Sequence, residues 1–331
     1  MKKLKWIAAM SAVTLFLSAC GSESSSGSGG GETIKWKFGH LADENHIWHE
    51  TALEFADVVN KKTDGQIEIT VYPNNQLGGE TDTINSIKAG TADLVISGET
   101  MANWSPEAAL MAVPYAFRDA EHLQKVVEGE IGEGIEASIE EKVGLTPLYY
   151  HTRAPRNLTS NEPISTPEDL NGFGMRVPNV PLFLDAWKEA GAKPQVMDFN
   201  EVFTGLQQNV IDGQENPVDL IHSGGLYEVQ KYVNETEHVY SWIYILVGNE
   251  QFDSLSDENK EAVKEAAEEA QAFGKELFDE EIEEFEQKLK DEGMEFNEVD
   301  QDAFREAMKP AIQESLSDEQ FELYERILEV E

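Results

Sequence analysis

The sequence has little cysteine and few basic residues. Cys20 is the only cysteine among 331 residues, which excludes an internal disulfide and a metal site built from several cysteines. Lysine and arginine number 25 against 64 aspartates and glutamates, so the formal net charge is −39. Nucleic acids are bound by neutralising phosphates with clustered lysine and arginine. A chain this acidic predicts no nucleic-acid partner.

Motifs for nucleotide binding and for serine hydrolysis are also missing. No P-loop, G-x-G-x-x-G segment or G-x-S-x-G elbow follows a predicted strand. The composition, 40% hydrophobic and 27% charged, is that of a folded globular protein, and the length allows two domains with a cleft. We predict no cofactor and no enzymatic activity. An exported hydrolase acting on acidic polysaccharide remains an alternative, because the many carboxylates offer many possible catalytic pairs.

The N-terminal segment has the layout of a secretory signal. Lysines precede an apolar run of about 12 residues, which is too short for a membrane span of roughly 20. The segment LSAC at 17–20 resembles the lipobox of bacterial lipoproteins. We predict a signal peptide at 1–19, a lipid on Cys20 and a glycine- and serine-rich tether over 20–32. The mature domain would then be held at the outer face of the cell membrane, or lie in the periplasm.

Strand-like and helix-like segments alternate along the rest of the chain, which is typical of an α/β fold with mostly parallel strands. The predicted strands are 34–38, 66–72, 93–97, 145–151, 157–160 and 174–177, and the predicted helices are 46–62, 80–89, 119–142, 182–190 and 201–210. Two such blocks predict two lobes, the first over 33–154 and the second over 155–240. Residues 241–331 are predicted to return to the first lobe.

The C-terminal quarter is the most acidic part of the chain. Residues 251–331 carry 28 acidic and 8 basic side chains. Apolar residues recur every three to five positions between 256 and 293, which predicts one long amphipathic helix. Its carboxylate face could mark a protein partner, but the pattern favours a solvated helix face, which would also aid solubility.

Arginine is scarce and concentrated. Three of the six arginines, Arg153, Arg156 and Arg176, fall within 24 residues on predicted extended segments. A guanidinium group presents a planar fork of donors that matches a carboxylate in two parallel hydrogen bonds. The cluster therefore favours the capture of an organic anion, although each arginine could instead pair with one of the abundant acids.

Histidines form a second cluster. His40, His46 and His49 lie within ten residues, and the last two stand one turn apart at a predicted helix start. A zinc-binding lipoprotein is conceivable on this spacing, but the order is not the H-E-x-x-H of metalloproteases. Histidines in such a loop can also donate hydrogen bonds to a ligand or cap the helix. We predict no metal site.

Several motifs in a fixed order carry a family resemblance. They are YPNNQLGG at 72–79, PEAA at 106–109, RNLTSN at 156–161, TPEDLNG at 166–172, MRVP at 175–178, DGQENP at 212–217 and YEVQKY at 227–232. Together they closely resemble the solute-binding proteins of TRAP (tripartite ATP-independent periplasmic) transporters, over nearly all of the mature chain. The resemblance implies a two-lobe periplasmic-binding-protein-like fold. It also implies a receptor that closes on a small organic anion and delivers it to a membrane permease.

The resemblance also implies roles for individual residues. Arg176 of the R-V-P motif matches the arginine that grips the ligand carboxylate, and Arg156 matches the arginine that assists it. Asn216 matches a side-chain hydrogen-bond partner, and Phe199 matches an aromatic that lines the pocket. Two further residues match positions expected behind those that touch the ligand: Glu215 and His238. Arg153 matches no family motif and is expected to pair with an acid at the surface.

The first lobe determines which anion fits, and there the resemblance is least informative. Open α/β sheets bind ligands at the carboxyl ends of their strands. Four polar residues stand at predicted strand ends that should face the cleft: His40, Asn74, Glu80 and Ser97. Such a lining suits hydroxyl-bearing acids such as uronates and aldonates, or a second carboxylate as in a C4-dicarboxylate.

Overall fold

A computed structural model describes residues 33–331. The predicted signal peptide, the lipid on Cys20 and the predicted glycine- and serine-rich tether at 20–32 all lie outside the described residues. Within the described part of the chain, no helix combines the length and apolar composition needed to cross a membrane.

The described residues form eleven strands and eleven α-helices. The strands are β1 Ile34–Gly39, β2 Ile67–Tyr72, β3 Leu94–Ser97, β4 Leu145–Thr152, β5 Arg156–Ser160, β6 Gly174–Val177, β7 Lys193–Val196, β8 Gly213–Asn216, β9 Tyr232–Val239, β10 Trp242–Gly248 and β11 Glu295–Asn297. The helices are α1 Ile47–Lys62, α2 Glu80–Lys88, α3 Ala120–Val127, α4 Glu130–Ser138, α5 Pro181–Glu189, α6 Phe199–Gln207, α7 Val218–Ser223, α8 Asn249–Asp253, α9 Asp257–Asp291, α10 Gln301–Ser315 and α11 Asp318–Glu329.

The strands form two mixed sheets. The first has the order β2-β1-β3-β10-β4, with β10 antiparallel to both of its neighbours. The second has the order β11-β9-β5-β8-β6-β7, with β5 antiparallel to β8 and β9. Strands joined through a helical crossover run parallel, whereas β5 and β10 each follow a short extended link and run antiparallel to their neighbours. The sheets are therefore less uniformly parallel than the sequence predicts.

The two links lie side by side between the sheets. Residues 153–155 lead from β4 into β5, and residues 240–241 lead back from β9 into β10. The backbone N–H of Arg153 donates to the carbonyl of Ser241 at 3.1 Å. This geometry confirms the predicted two-lobe architecture, in which each lobe is built on one sheet.

The predicted long helix is α9, with 35 residues. Ser256 caps it by accepting a hydrogen bond from the N–H of Asn259 at 3.2 Å. At about 1.5 Å per residue the helix is roughly 50 Å long. Val263 and Ala266 pack in a core of the first lobe, whereas Phe285 and Leu289 pack with residues of the second. One helix thus spans both lobes.

Two segments differ from the sequence predictions. The predicted helix over 119–142 is divided into α3, α4 and a π-helical turn, because Gly129 adopts an extended conformation between the first two. The segment 241–331 does not stay with the first lobe. β11 pairs in parallel with β9, and Phe304 of α10 joins a core of the second lobe. This crossing follows from the length of α9, which ends beside the second sheet.

Candidate ligand-binding site

A cavity that is partly open to solvent lies between the two lobes, with about 700 Å³ of empty space that includes its solvent-filled mouth. The first lobe contributes residues that follow β1, β2 and β3, and the second contributes residues from β6, β8 and the segment before α6. The charged and amide side chains of the lining are Asn75, Glu80, Glu99, Arg153, Arg156, Arg176, Asn179, Asp198 and Asn216.

Arg176 enters the cavity from β6 and is 4% exposed. Its Nε donates to the carbonyl oxygen of Met197 at 2.8 Å, which fixes the plane of the guanidinium group beside the ring of Phe199. Among the described residues, no carboxylate lies within 4.0 Å of this guanidinium. Burial lowers the pKa of Arg176 to about 10, so the side chain remains charged at neutral pH. The cavity therefore presents a desolvated cation without an anionic partner.

Arg156, in contrast, has a carboxylate partner within the protein. Its Nε and Nη2 donate to the two carboxylate oxygens of Glu215, the latter at 2.7 Å, and Nη2 also donates to Asn216 Oδ1 at 3.1 Å. His238 Nε2 lies 3.0 Å from the same carboxylate. Burial alone would raise the pKa of Glu215, but the charge of Arg156 and the hydrogen bond from His238 outweigh it and lower the pKa to about 2. Glu215 thus neutralises Arg156 from behind the cavity wall.

The short strand β8 holds Asn216 through buried polar contacts. Asn216 Nδ2 donates to Gln214 Oε1 at 2.6 Å, and Gln214 Nε2 donates to Thr159 Oγ1 at 3.1 Å. The Thr159 hydroxyl donates in turn to Gln230 Oε1 at 2.9 Å. A buried chain of satisfied hydrogen bonds restricts each member to one orientation. The amide of Asn216 is therefore positioned before any ligand binds.

Arg153 is not at the surface, contrary to expectation. It is 6% exposed, and its Nη1 lies 3.1 Å from both carboxylate oxygens of Glu99. Ser241 Oγ also donates to Glu99 at 2.6 Å, and Arg156 Nη1 lies 3.7 Å away. Burial alone would raise the pKa of Glu99, but the charges of Arg153 and Arg156 outweigh it, so the pKa lies below its ordinary value.

A match to a protein family decides the class of this protein. Residues 38–319 match the model described as bacterial extracellular solute-binding protein, family 7. The chain belongs to this family. A solute-binding protein of Roseobacter denitrificans, RD1_1052, is 49% identical over 283 residues, which are 86% of this chain and 87% of the relative. The 2,3-diketo-L-gulonate-binding periplasmic protein YiaO of Escherichia coli is 34% identical over 275 residues, covering 82% and 84%.

A solved structure agrees with the fold of this family 7 protein. The crystal structure of a TRAP periplasmic solute-binding protein from Roseobacter denitrificans, with bound L-galactonate, superposes with a TM-score of 0.87. The sequences are 47% identical, and the match covers 89% of this chain and 99% of that one. The chain is thus an extracytoplasmic receptor of the TRAP class, whose members work with membrane permeases and are receptors rather than enzymes.

Six of the residues that the sequence singles out for ligand contact line the cavity of this family 7 protein. They are Glu80, Ser97, Arg156, Arg176, Phe199 and Asn216. Ser97 Oγ donates to the carboxylate of Glu80, and burial raises the pKa of that carboxyl group. The two residues expected behind the lining, Glu215 and His238, are fully buried against Arg156 and each other.

The structure places His40 and Asn74 away from the cavity lining. The ring of His40 is buried with Nε2 at 3.1 Å from His49 Nδ1, and burial together with His49 lowers its pKa to about 3. Asn74 is exposed in a turn with φ of 55°, and its neighbour Asn75 lines the cavity instead. Position after a strand identified the correct loop, but not which side chain of a tight turn faces inward.

The histidines of the predicted cluster have separate partners. His46 Nδ1 accepts from the N–H of Trp48 at 3.1 Å and so caps α1, while its Nε2 faces Asp219 at 3.2 Å. Over residues 33–331 no group of three or more histidine, cysteine or acidic side chains is arranged to hold a metal ion. These residues give the zinc alternative no support, and the family match gives none to the hydrolase alternative.

Sequence reasoning missed Glu99 and the cavity position of Arg153. A usable signal was present for both, because Arg153 directly follows β4 and Glu99 comes two residues after β3. The same argument from strand ends had identified Ser97. Neither residue lies in one of the motifs that carry the family resemblance.

Proposed function

We propose that the ligand of this TRAP receptor is a sugar acid with a single carboxylate, an aldonate or a uronate. The observation that carries the proposal is the inventory of unpaired charges in the cavity. Glu99 neutralises Arg153 and Glu215 neutralises Arg156, which leaves Arg176 as the cation available to a ligand. One such cation matches one carboxylate through its forked donors.

The remaining charges of the lining favour hydroxyl groups. Two lining carboxylates, Glu80 and Asp198, have no basic partner among the described ion pairs. Carboxylates accept hydrogen bonds from hydroxyls, whereas a second ligand carboxylate facing them would be repelled. A polyhydroxy chain with one acidic end satisfies both Arg176 and the two carboxylates.

The ligands of two relatives also support a sugar acid. The Roseobacter denitrificans structure contains L-galactonate, and the Escherichia coli relative is named for 2,3-diketo-L-gulonate. Each is a six-carbon sugar acid with one carboxylate. A C4-dicarboxylate is the second candidate that the sequence left open, and the cavity charges argue against it.

A thermal-shift screen tests the ligand class. We expect L-galactonate, D-gluconate or D-galacturonate to raise the melting temperature, and succinate, malate and the neutral galactitol to leave it nearly unchanged. A ligand at a hundred times its dissociation constant adds about 2.7 kcal/mol to the stability of the folded state. Larger shifts with the dicarboxylates than with every sugar acid would contradict the proposal.

We further propose that the lobes close on the ligand, as in the present arrangement. Asn103 Nδ2, from the first lobe, donates to the carbonyl of Asn179 of the second at 2.7 Å. Gly79, at the start of α2, lies against Asp198 of the second lobe. A β-carbon at position 79 would lie 2.8 Å from Asp198 Oδ2 and 3.1 Å from its Cγ.

Gly79→Ala is expected to weaken ligand binding about five- to tenfold by calorimetry. The backbone at Gly79, with φ of −61°, accepts alanine, so the added methyl interferes only when the lobes meet. Overpacking of about 1 kcal/mol corresponds to that loss. Gly134→Ala is the matched control, because nothing lies within 4 Å of its β-carbon position. Equal affinities of the two variants would refute the closing contact.

The N-terminal sequence supports attachment to the membrane. We propose that Cys20 carries a lipid and that the glycine- and serine-rich segment tethers the receptor to the outer face of the cell membrane, beside its permease. Mass spectrometry of the mature N-terminus distinguishes a lipid-modified Cys20 from a free, unanchored chain. A chain that begins at an unmodified residue would rule out the anchor.

A further inference from the structure

We propose that Glu99 is a specificity-determining residue, which restricts the cavity to ligands with one carboxylate by occupying Arg153. The inference rests on the proposed function and explains how one cavity with three arginines selects a monoanion. Without Glu99, Arg153 would offer a second forked cation in the same cavity.

The contacts of Glu99 are those of a neutralising group. Both of its oxygens lie 3.1 Å from Arg153 Nη1, and Ser241 donates to one of them at 2.6 Å. Glu99 and Arg153 both line the cavity while being 6% exposed. In a desolvated site the opposite charges of an ion pair largely cancel, so the pair attracts a ligand weakly. A buried charge without a partner acts strongly on any ligand.

Arg153 is held in place by more than Glu99. Its guanidinium carbon lies 5.3 Å from the centre of the Trp48 ring, and its backbone N–H is bonded to Ser241. The side chain will therefore remain at the cavity when Glu99 loses its charge. Arg153 follows a strand of the first sheet, whereas Arg176 belongs to the second. Two such cations on different lobes could each hold one end of a diacid.

Matched ligand pairs measure this selectivity directly. L-Galactonate and galactarate differ only at C6, which is a hydroxymethyl group in the first and a carboxylate in the second. D-Gluconate and D-glucarate form an equivalent pair. Calorimetry on the full receptor domain at one pH gives the ratio of diacid to monoacid affinity for each variant.

Glu99→Gln is expected to raise that ratio roughly ten- to a hundredfold, the effect of one charge-assisted hydrogen bond gained by the diacid. Glutamine keeps the shape of glutamate and can still accept from Ser241. An unchanged ratio in the folded variant would overturn the role of Glu99. If the unmodified protein did not bind the monoacids at all, the proposed function would be contradicted instead. Failure of the role of Glu99 and failure of the proposed function are therefore distinguishable.

The double variant E99Q/R153Q separates occupation of Arg153 from simple repulsion by Glu99. It leaves no uncompensated buried charge at this pair, so it tests the inference even if Glu99→Gln alone is unstable. We expect it to retain the preference for monoacids, at reduced affinity, because no second cation remains. Equal binding of diacid and monoacid by the double variant would overturn the inference, since repulsion alone would then account for the selectivity.

Discussion

Arg176→Ala is expected to weaken sugar-acid binding by a hundredfold or more. The guanidinium group has no carboxylate partner among the described residues, and only its Nε is bonded, to Met197. Its remaining donors are free for the ligand. Two charge-assisted hydrogen bonds contribute about 1.5–3 kcal/mol each, and about 2.7 kcal/mol corresponds to a hundredfold change in the dissociation constant. Isothermal titration with the acid found in the screen measures the effect.

Three comparisons make this experiment specific. Arg176→Lys should lose most of the affinity as well, because a point charge replaces a planar fork. Arg305→Ala removes an arginine that is half exposed and paired with Asp302, and it should leave the affinity nearly unchanged. The ligand-free Arg176→Ala protein should melt no lower than the unmodified one, since the buried arginine lacks an anionic partner. Unchanged affinity in Arg176→Ala would disprove its assignment as the anchor.

Glu215→Gln is expected to destabilise the protein by about 3–5 kcal/mol, the usual cost of removing one partner of a buried ion pair. Glu215 and Arg156 are both buried, and the variant removes the carboxylate charge that both Nε and Nη2 of Arg156 contact, leaving only the longer ion pair with Glu99. Urea unfolding with an unchanged slope measures the loss. Glu68→Gln is the matched control, because Glu68 pairs with Lys35 on the exposed surface and such pairs contribute about 0–1 kcal/mol. Equal stabilities of the two variants would contradict the prediction.

The same pair predicts a pH dependence. The pKa of Glu215 falls from an ordinary value of 4.5 to about 2 in the folded protein. A depressed carboxyl pKa stabilises the fold fully above the unfolded value, and this contribution is lost as the pH falls from about 4.5 towards 2. Glu215→Gln should lack this part of the acid sensitivity. An identical acid unfolding profile in the variant would count against the pairing.

The sequence located the second-lobe side of the cavity better than the first. Arg156, Arg176 and Asn216 lie in ordered motifs, and the structure brings them to one cavity. The pairing of Arg156 with Glu215 was not predictable as a contact. It depends on the register between β5 and β8, which places Leu158 opposite Glu215. Register is set by tertiary packing and turn geometry rather than by either strand alone.

The first-lobe side of the cavity shows why its ion pair could not be predicted from the sequence. Glu99 and Arg153 are 54 residues apart in the chain, and they meet because β10 enters the sheet between β3 and β4. The sequence of β10 reads as a continuous apolar strand, which does not state its direction or its neighbours. The charges that meet in the cavity therefore cannot be paired without the fold.

The helix α9 limits how the two lobes can move. Its N-terminal half is packed in one core and its C-terminal half in another, so neither lobe can slide along it without unpacking a core. The backbone of an intact helix permits gradual bending far more readily than a change in length. Opening of the receptor must then bend the middle of α9, near Gly274, which lies against His151. We expect release of the ligand to be a rotation of limited amplitude, with the two ends of this helix as fixed points.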